Sequence, residues 1–278
     1  SFFTDVRLEA SLSKARIHYY DVGFFSESVR NMLTPMQFKG RASGTLSDLR
    51  GEIDSLYFAD HGFLSGKVRL RGLPNMDEFN INADIDHLEV RASDIERLRI
   101  PTPSGFQMYS LPEELDRLGT IGFQGKFMGF ISDFVTFGHL TTALGNMEAD
   151  MNIKTGGDQL AYSGELKTKS FDLRKLVNDP LFGLTALDIK ASGVGVDAKT
   201  MKIQAEGRID RFDFNGYSFQ NITVDGSVLK QVFEGSLSMA DPNAAFDFVG
   251  KIDAKPEVPI VNCVSRVTQL KLGPLGLV

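Results

Sequence analysis

The sequence predicts an all-β fold in which a long, strongly curved antiparallel sheet carries a few short helices at the ends of its strands. Polar and apolar residues alternate along most of the 278 residues, and a period of two is typical of strands with one wet and one dry face. Gly, Asn and Asp turns divide the alternating segments. Glycines recur on the apolar side of the strands, where they indicate bends.

The alternating segments follow one another through the chain. They occupy residues 36–46, 79–86, 147–153, 201–209, 233–239 and 246–252. In the second segment Ile81, Ala83 and Ile85 point one way, while Asn82 and Asp84 point the other way. Strands of about 5–9 residues are expected, and about 15 of them fit between the turn signals.

Glycines on the predicted apolar side of the strands indicate curvature. They are Gly40, Gly44, Gly66, Gly125, Gly129, Gly207, Gly235 and Gly250. A glycine inside a strand weakens that strand and often marks a bend or the close approach of another backbone. A row of them across neighbouring strands predicts a sheet curved sharply toward its apolar face. Scattered β-bulges are the alternative interpretation.

Short helices are predicted at four places. They are residues 25–33, 93–96, 110–118 and 171–177. Ser93 and Ser110 are each followed three residues later by Glu, which is the spacing of a capping box, and Gly119 is placed to end the third helix. Pro35 and Pro180 follow the first and last candidates, and proline does not continue a helix.

A loose repeat joins the strands into larger groups. Residues 38–44 (FKGRASG) resemble residues 123–129 (FQGKFMG), and residues 189–193 (IKASG) form a weaker third copy. Because the spacing is uneven, we interpret residues 1–278 as one continuous β segment with loose repeats at about 1–110, 111–180 and 181–278. The first residue is Ser1 rather than Met, which indicates a processed or cloned piece of a longer protein.

Composition and motif content argue against catalysis. The net charge of −6 argues against nucleic-acid binding, which favours a basic surface. Cys263 is the only cysteine, so no disulfide framework or thiolate metal cluster is expected. The histidines are far apart, and no nucleophile elbow, P-loop or dinucleotide fingerprint occurs in a suitable context. We expect no enzyme activity, no cofactor and no metal site.

One long segment resembles a known family. Residues 119–153 read GTIGFQGKFMGFISDFVTFGHLTTALGNMEADMNI, and they resemble a central segment of the TamB proteins of Bacteroides-type bacteria. Further stretches agree in consistent order, at residues 20–25 (YDVGFF), 70–74 (LRGLP), 162–166 (YSGEL), 171–173 (FDL), 215–222 (NGYSFQNI) and 233–237 (FEGSL). The resemblance extends from about residue 1 to about residue 255. The tail from Pro256 is a weaker match, because Cys263 and Arg266 interrupt a strand pattern there.

TamB proteins belong with the AsmA-like and bridge-type lipid transfer proteins. The resemblance implies a taco-like sheet whose inner face is an open apolar groove. It implies a protein anchored in the inner membrane of a Gram-negative envelope, which crosses the periplasm and moves phospholipid between the inner and outer membranes. A barrel partner of the TamA or BamA type, contacting regions outside this chain, links the family to outer-membrane assembly and protein secretion. The chain would be an internal fragment of such a bridge.

Apolar side chains beside the strand glycines are the candidate lining of this groove. We predict that phospholipid acyl chains contact Phe38, Leu46, Leu70, Ile81, Phe123, Phe127, Met151, Leu166, Ile203, Phe233 and Phe248. Large apolar residues without polar anchors suit a surface along which a lipid slides. The head groups would then stay in water at the open mouth of the groove.

Two other functions fit the same alternation. Exposed strand edges can pair with a client strand by β-augmentation, which would make the chain a scaffold for inserting outer-membrane proteins of the autotransporter type. Alternatively, the apolar faces of two sheets pack against each other in a closed β-sandwich, which serves as a structural or adhesion module. Unpaired first and last strands would also favour end-to-end self-association of the chain.

Overall fold

A computed structural model describes residues 6–17, 36–73, 75, 77–97, 100–102, 105–107, 113–130, 132–157, 159–195 and 199–275. The fold is all-β, and fifteen strands form one antiparallel sheet that is not closed and whose order follows the chain. The predicted fold class is therefore confirmed, and the sheet is consistent with the predicted curvature. The chain divides into two compact units, Ser1–Ala143 and Leu144–Val278.

The first unit contributes seven strands to the sheet and a separate small hairpin. The sheet strands are β1 (Leu8–Ile17), β2 (Met36–Thr45), β3 (Asp48–Phe58), β4 (Gly62–Arg71), β5 (Asn80–Arg91), β8 (Thr120–Phe130) and β9 (Asp133–Thr142). Between β5 and β8 lie helix α1 (Ala92–Arg97), the hairpin of β6 (Ile100–Thr102) and β7 (Gly105–Gln107), and a 3-10 helix (Glu113–Leu118).

The second unit contributes eight consecutive strands. They are β10 (Gly145–Lys154), β11 (Ala161–Asp172), β12 (Phe182–Val194), β13 (Lys202–Phe214), β14 (Tyr217–Leu229), β15 (Val232–Ala240), β16 (Ala244–Asp253) and β17 (Ile260–Leu270). Helix α2 (Leu173–Val177) follows β11. The Asp172 side chain caps its first turn by accepting the Lys175 N–H, and Asn178 ends it in the left-handed conformation.

Three of the predicted helices correspond to helical segments, and the sheet strands are longer than expected. Helix α1, the 3-10 helix and α2 lie at the second, third and fourth predicted positions, while the candidate at residues 25–33 and Ser110 lie outside the described residues. Sheet strands of 9 to 13 residues replace the expected shorter ones. Hydrogen bonds to the neighbouring strands extend a strand past positions where the alternation of polar and apolar residues breaks. Strand β17 includes Cys263 and Arg266, the two residues that interrupt the strand pattern of the sequence there.

Register aligns glycines and isoleucines into one row across the first unit. Direct cross-strand partners share a face of the sheet, and successive partners on the apolar face form what we call the Gly/Ile row. Its members are Leu12, Gly40, Ile53, Gly66, Ile85, Gly125 and Gly138. Beside it, Ile53 pairs with Gly66 but Leu56 pairs with Leu64, so β3 holds an extra residue there. Such a bulge bends the strand and increases its twist.

A comparable row crosses the second unit. We call it the small-residue row, and its members are Met151, Gly164, Ala191, Ala205, Gly226, Gly235, Gly250 and Cys263. Eight strands at about 4.8 Å spacing extend this row over about 34 Å. The row therefore runs across the strands and separates two rows of larger side chains.

Close backbone approach explains why glycine occupies these rows. Gly125 and Gly138 are direct partners, and Gly125 has a φ of +155°. A Cβ at Gly125 would collide with the Phe137 carbonyl oxygen and lie 2.6 Å from the Gly138 Cα. The same Cβ would lie 2.9 Å from Cζ of Phe123, so the Phe ring covers the glycine two residues along. Phe38 covers Gly40 in the same way, with its Cζ 3.0 Å from such a Cβ, so in both strands the ring packs where the glycine has no side chain.

A polar network connects β12, β13 and β14 near the start of β12, the end of β13 and the start of β14. The Asp213 carboxylate accepts hydrogen bonds from Arg211 Nε (2.8 Å), Ser218 Oγ (2.6 Å) and the Leu184 N–H (3.2 Å). The Arg211 guanidinium is the main cause that holds the pKa of Asp213 below its usual value, and the bonds from Ser218 and Leu184 lower it further. The network therefore stabilises the fold while Asp213 is ionised.

Acid should remove the contribution of Asp213. Its pKa is lowered by folding, so its stabilisation is present above the unfolded-state pKa and is lost as pH falls through the lower, folded-state pKa. We expect Asp213→Asn to be less stable than the native protein near neutral pH and to lose less stability between about pH 5 and about pH 2. Urea unfolding across this range measures the difference. Asp225→Asn, an exposed change on β14, is the control, and equal acid sensitivity in the native protein and Asp213→Asn would contradict the assignment.

Candidate functional site

The apolar face of the sheet in each unit is the candidate functional site. In the first unit four rows cross it and none contains a charged residue. Besides the Gly/Ile row, these are Leu8, Gly44, Leu49, Leu70, Ile81, Gly129, Phe134; then Ala10, Ala42, Gly51, Val68, Ala83, Phe127, Thr136; and Ala15, Phe38, Leu56, Leu64, Leu88, Phe123, Leu140. The face is thus free of charge over four consecutive rows.

A cavity of about 340 Å³ opens on this face of the first unit. It lies over β3, β4, β5 and β8, and its apolar lining is Ile53, Leu56, Leu64, Val68, Leu70, Ile81, Ala83, Ile85 and Phe127. Ala83, Ile85 and Phe123 form the packed floor beneath it, each 9% exposed. The cavity therefore has a buried apolar base and apolar walls, which suit an apolar ligand.

The second unit has two rows of larger side chains beside the small-residue row. The outer row, nearest the start of β11, is Ile153, Tyr162, Gly193, Ile203, Val228, Phe233, Ile252 and Val261. The inner row is Ala149, Leu166, Ile189, Gly207, Val224, Leu237, Phe248 and Ser265. The only ring hydroxyl among them, that of Tyr162, donates to the Gly195 carbonyl at 3.2 Å, and burial raises its pKa.

Aromatic rings close one end of the apolar face in the second unit. They belong to Phe182, Phe212, Phe214, Tyr217 and Phe219. Phe182 meets Phe214 edge to face at 5.3 Å between centroids, and Tyr217 meets Phe219 at 4.8 Å. Such pairs add stabilisation beyond the burial of their area. The rings cluster at this end of the unit, and among the described residues the opposite end of the strands has no aromatic cluster of this kind.

No second layer covers these faces in the described residues. Within each unit, the extensive strand-to-strand contacts of the described chain are between sheet neighbours, and α1 and α2 pack at strand ends. A sandwich needs a second sheet over the first, and neither unit provides one in its described part. Within the described ranges, the apolar rows are therefore covered only by their own side chains.

The predicted lining residues lie on these rows, with one exception. Phe38, Leu70, Ile81, Phe123 and Phe127 lie on apolar rows of the first unit, and Leu70, Ile81 and Phe127 line its cavity. On the apolar rows of the second unit lie Met151, Leu166, Ile203, Phe233 and Phe248. Leu46 instead lies in the turn after β2, which ends at Thr45, where the Thr45 hydroxyl accepts the Asp48 N–H.

Three leucines of the apolar face were not predicted to line the groove. Leu56, Leu64 and Leu88 lie on the row that also holds Phe123, and Leu56 and Leu64 line the cavity. An extra residue shifts β3 between Ile53 and Leu56 and β5 between Ile85 and Leu88, so a strict period of two assigns Leu56 and Leu88 to the wrong face. Leu64 keeps the period of the other apolar residues of β4, so alternation alone could have placed it on this face.

The opposite face carries the charges, and they pair with one another. Asp48 accepts two bonds from Arg69, at 2.7 and 2.6 Å, which is the main cause that lowers the pKa of Asp48. Lys167 faces Asp188 at 3.3 Å across two strands of the second unit. Exposed pairs of this kind contribute little stability. The face is therefore best described as a solvated, charged surface that disfavours aggregation.

Buried polar groups in the described residues serve the fold. Asp94 is fully buried and accepts the Arg91 N–H at 3.0 Å, while His61 lies 3.4 Å from its other oxygen. Asp241 accepts the Tyr217 hydroxyl at 2.6 Å and the Gln220 N–H at 3.1 Å. Among the described residues every buried side-chain polar atom has a partner, and no group of three or more potential ligands could hold a metal ion.

No helix in the described part of the chain is long and apolar enough to cross a membrane. Comparison of the chain with protein-family models, curated proteins and solved structures finds no match.

Proposed function

We propose that this chain is a segment of a lipid-transfer bridge, whose apolar face holds phospholipid acyl chains between the inner and outer membranes. The observation that carries the proposal is the set of charge-free apolar rows, which cross each unit with no covering layer in the described residues. The role is one of binding and conduction rather than catalysis. The cavity over β3, β4, β5 and β8 is the candidate seat for an acyl chain in the first unit.

The energetics of an acyl chain suit such a face. Burying one methylene contributes about 0.8 kcal/mol, so a tail of about sixteen carbons gains about 13 kcal/mol relative to water. A bilayer offers the acyl chain a similar gain in free energy. A conduit therefore has to bind the chain about as strongly as the bilayer does and no more strongly. Rows of Leu, Ile, Val, Phe and Ala provide this because they attract hydrocarbon without polar anchors that would hold one lipid in place.

The sequence resemblance to TamB proteins supports the cellular setting. On this resemblance, the chain would lie in the periplasm, as part of an inner-membrane-anchored protein that reaches the outer membrane. A barrel of the TamA or BamA type would be the partner, through regions outside this chain. The phospholipid cargo and the role in outer-membrane assembly follow from the same resemblance.

A second candidate function rests on the edge strand β17. Nearly all of its residues are exposed, and its apolar members include Ile260 (62% exposed) and Val264 (80% exposed). Arg266 is its only charged residue, so the edge lacks the charges that usually discourage pairing. This edge could accept a client strand by β-augmentation, or a second copy of the chain in end-to-end association.

Photocrosslinking distinguishes the two candidates. A phosphatidylcholine with a diazirine in one acyl chain is added to the purified chain, and native mass spectrometry counts the lipids that stay bound. We expect adducts on peptides of the apolar rows, such as that holding Ile81, and none on the charged face. Adducts spread equally over both faces would contradict the lipid proposal. Capture of strand-forming peptides at β17 without lipid adducts would favour the scaffold function.

A further inference from the structure

Strand β17 is apolar on both of its faces although it lies at an edge of the sheet. Among the described strands it pairs with β16 alone. Val261 and Val267 lie on the apolar face, and Val264, 80% exposed, lies on the charged face opposite Val249 of β16, which is 61% exposed. Strands with apolar residues on both faces are typical of positions inside a sheet, whereas edge strands usually carry charges. The composition of β17 therefore suits a strand that has a neighbour on its open side.

Edge strand β1 is protected against such pairing, in contrast to β17. It carries three charged residues and holds an extra residue between Leu12 and Ala15, and both features discourage a further strand from pairing. The register of β17 with β16 is unbroken over residues 260–267, and Arg266 is the only charged residue of β17. A regular, almost uncharged edge is thus offered by β17 and not by β1.

The regular part of β17 is chemically symmetric about Val264. Residues 261–267 read VNCVSRV, so that valines stand at both ends, a polar residue follows each valine inward, and a small residue lies on each side of the centre. Two antiparallel copies of this segment, related by a two-fold axis at Val264, would place Val261 of one copy opposite Val267 of the other. Each position of one copy would then meet a residue of similar size or polarity in the other.

The charged face of such a pair is complementary as well. Asn262 of one copy would lie opposite Arg266 of the other, where the amide oxygen can accept a guanidinium N–H. The two Arg266 side chains would be displaced by four residues, from position 262 to position 266, which is about 13 Å along the strands and exceeds the screening length of about 8 Å at physiological salt. A two-fold axis at Cys263 or Ser265 would instead place Val264 opposite Asn262 or Arg266. The side chains therefore favour the axis at Val264.

We propose that two copies of this chain pair through β17, antiparallel and about a two-fold axis at Val264. The contact is isologous, because the same surface serves on both copies, and it therefore closes at a dimer. The inference specifies the occupant of the edge described for the second candidate function, and it does not depend on lipid binding.

Both apolar faces lie on the same side of the joined sheet. Paired positions differ by an even number of residues, and side chains alternate between the two faces with a period of two, so each pair shares a face. Cys263, at the β17 end of the small-residue row, lies opposite Ser265 of the second copy, at the β17 end of the inner row. The apolar rows therefore continue from one copy into the other.

Disulfide crosslinking of the purified chain tests the register. Two variants are oxidised with diamide: Ser265→Cys, whose new thiol faces the native Cys263 of the second copy, and Cys263→Ser/Val264→Cys, whose new thiols face each other at the axis. Neighbouring antiparallel pairs alternate between a wider hydrogen-bonded and a closer non-hydrogen-bonded geometry, so one of the two variants brings its Cβ atoms close enough for a disulfide. Non-reducing electrophoresis should show a covalent dimer for that variant.

Val261→Cys is the matched control for the crosslinking. Its thiol lies on the same face of the same strand, but about 13 Å along the strand from the position opposite Cys263, so neither this variant nor the native chain should give a covalent dimer. No dimer from either test variant, an equal yield from Val261→Cys, or a Cys263–Cys263 dimer of the native chain would overturn the inference.

Sedimentation velocity tests the contact without crosslinking. We expect Val264→Lys to raise the Kd of the dimer at least about tenfold, because like charges directly opposite each other destabilise a strand pair. Val249→Lys adds the same charge to the same face of β16 and should leave the Kd unchanged, and circular dichroism checks that both variants fold. A native chain that stays monomeric up to its solubility limit, or equal effects of the two lysines, would overturn the inference.

Peptide competition separates a second copy from a client strand. A synthetic peptide of residues 259–269 should dissociate the dimer, and an unrelated strand-forming peptide should not. Equal competition by the unrelated peptide would assign the edge to a client strand and overturn the inference. None of these measurements contains lipid, so the pairing of β17 and the binding of acyl chains can fail independently.

Discussion

Gly164→Ala is expected to destabilise the second unit by about 2–4 kcal/mol. Gly164 lies on β11 opposite Met151, in the small-residue row, with a φ of +149°. A Cβ there would collide with the Asp150 carbonyl oxygen and lie 2.8 Å from the Met151 Cα. Neither backbone atom can move without breaking the pairing of β10 with β11. Urea unfolding followed by circular dichroism measures the loss.

Gly157→Ala is the matched control for this prediction. Gly157 lies in the connection between the same two strands, and a Cβ there would meet only the Gln159 carbonyl oxygen, at 3.7 Å. Its φ is not in the left-handed region, so we expect a change within about 0.5–1 kcal/mol. If the two alanine variants were equally stable, close backbone approach would not be the reason for glycine in the row.

Ile81→Glu is expected to reduce acyl-chain binding in the first unit at least about tenfold, because a carboxylate among apolar walls has to be desolvated when hydrocarbon enters. Ile81 lines the cavity and is only half-buried, so its carboxylate can reach water in the empty protein. The fold should therefore survive the change. Displacement of a fluorescent fatty acid measures the affinity.

Asn82→Glu supplies the control, because the next residue of β5 lies exposed on the charged face. It adds the same charge to the same strand, so it should leave the affinity unchanged. Ile81→Gln, which introduces polarity without charge, should give an intermediate loss. Equal affinities for Ile81→Glu and Asn82→Glu would show that hydrocarbon does not bind at this cavity.

Local chemistry explains what could be predicted from the sequence. Alternation is a property of consecutive residues, so the side of the sheet on which Phe123, Phe127 or Phe248 lies can be read within one strand. Helices α1 and α2 were predicted because capping residues and prolines act over a few positions. The number of sheet strands, about fifteen, followed from turn signals of the same short range.

Features that depend on pairing could not be predicted in this way. The bulges that move Leu56 and Leu88 onto the apolar face lie where β3 and β5 each hold one residue more than the strands beside them. Strand β17 continues through Arg266, whose register partner on β16 is Asp247.

The sequence by itself determined the all-β fold, the two chemically distinct faces and the residues able to line an apolar surface, because each of these depends on residues near one another in the chain. Only the tertiary structure decided which glycines and isoleucines form one row and where the cavity opens. Those features depend on register, and register is set by backbone pairing between residues far apart in the sequence.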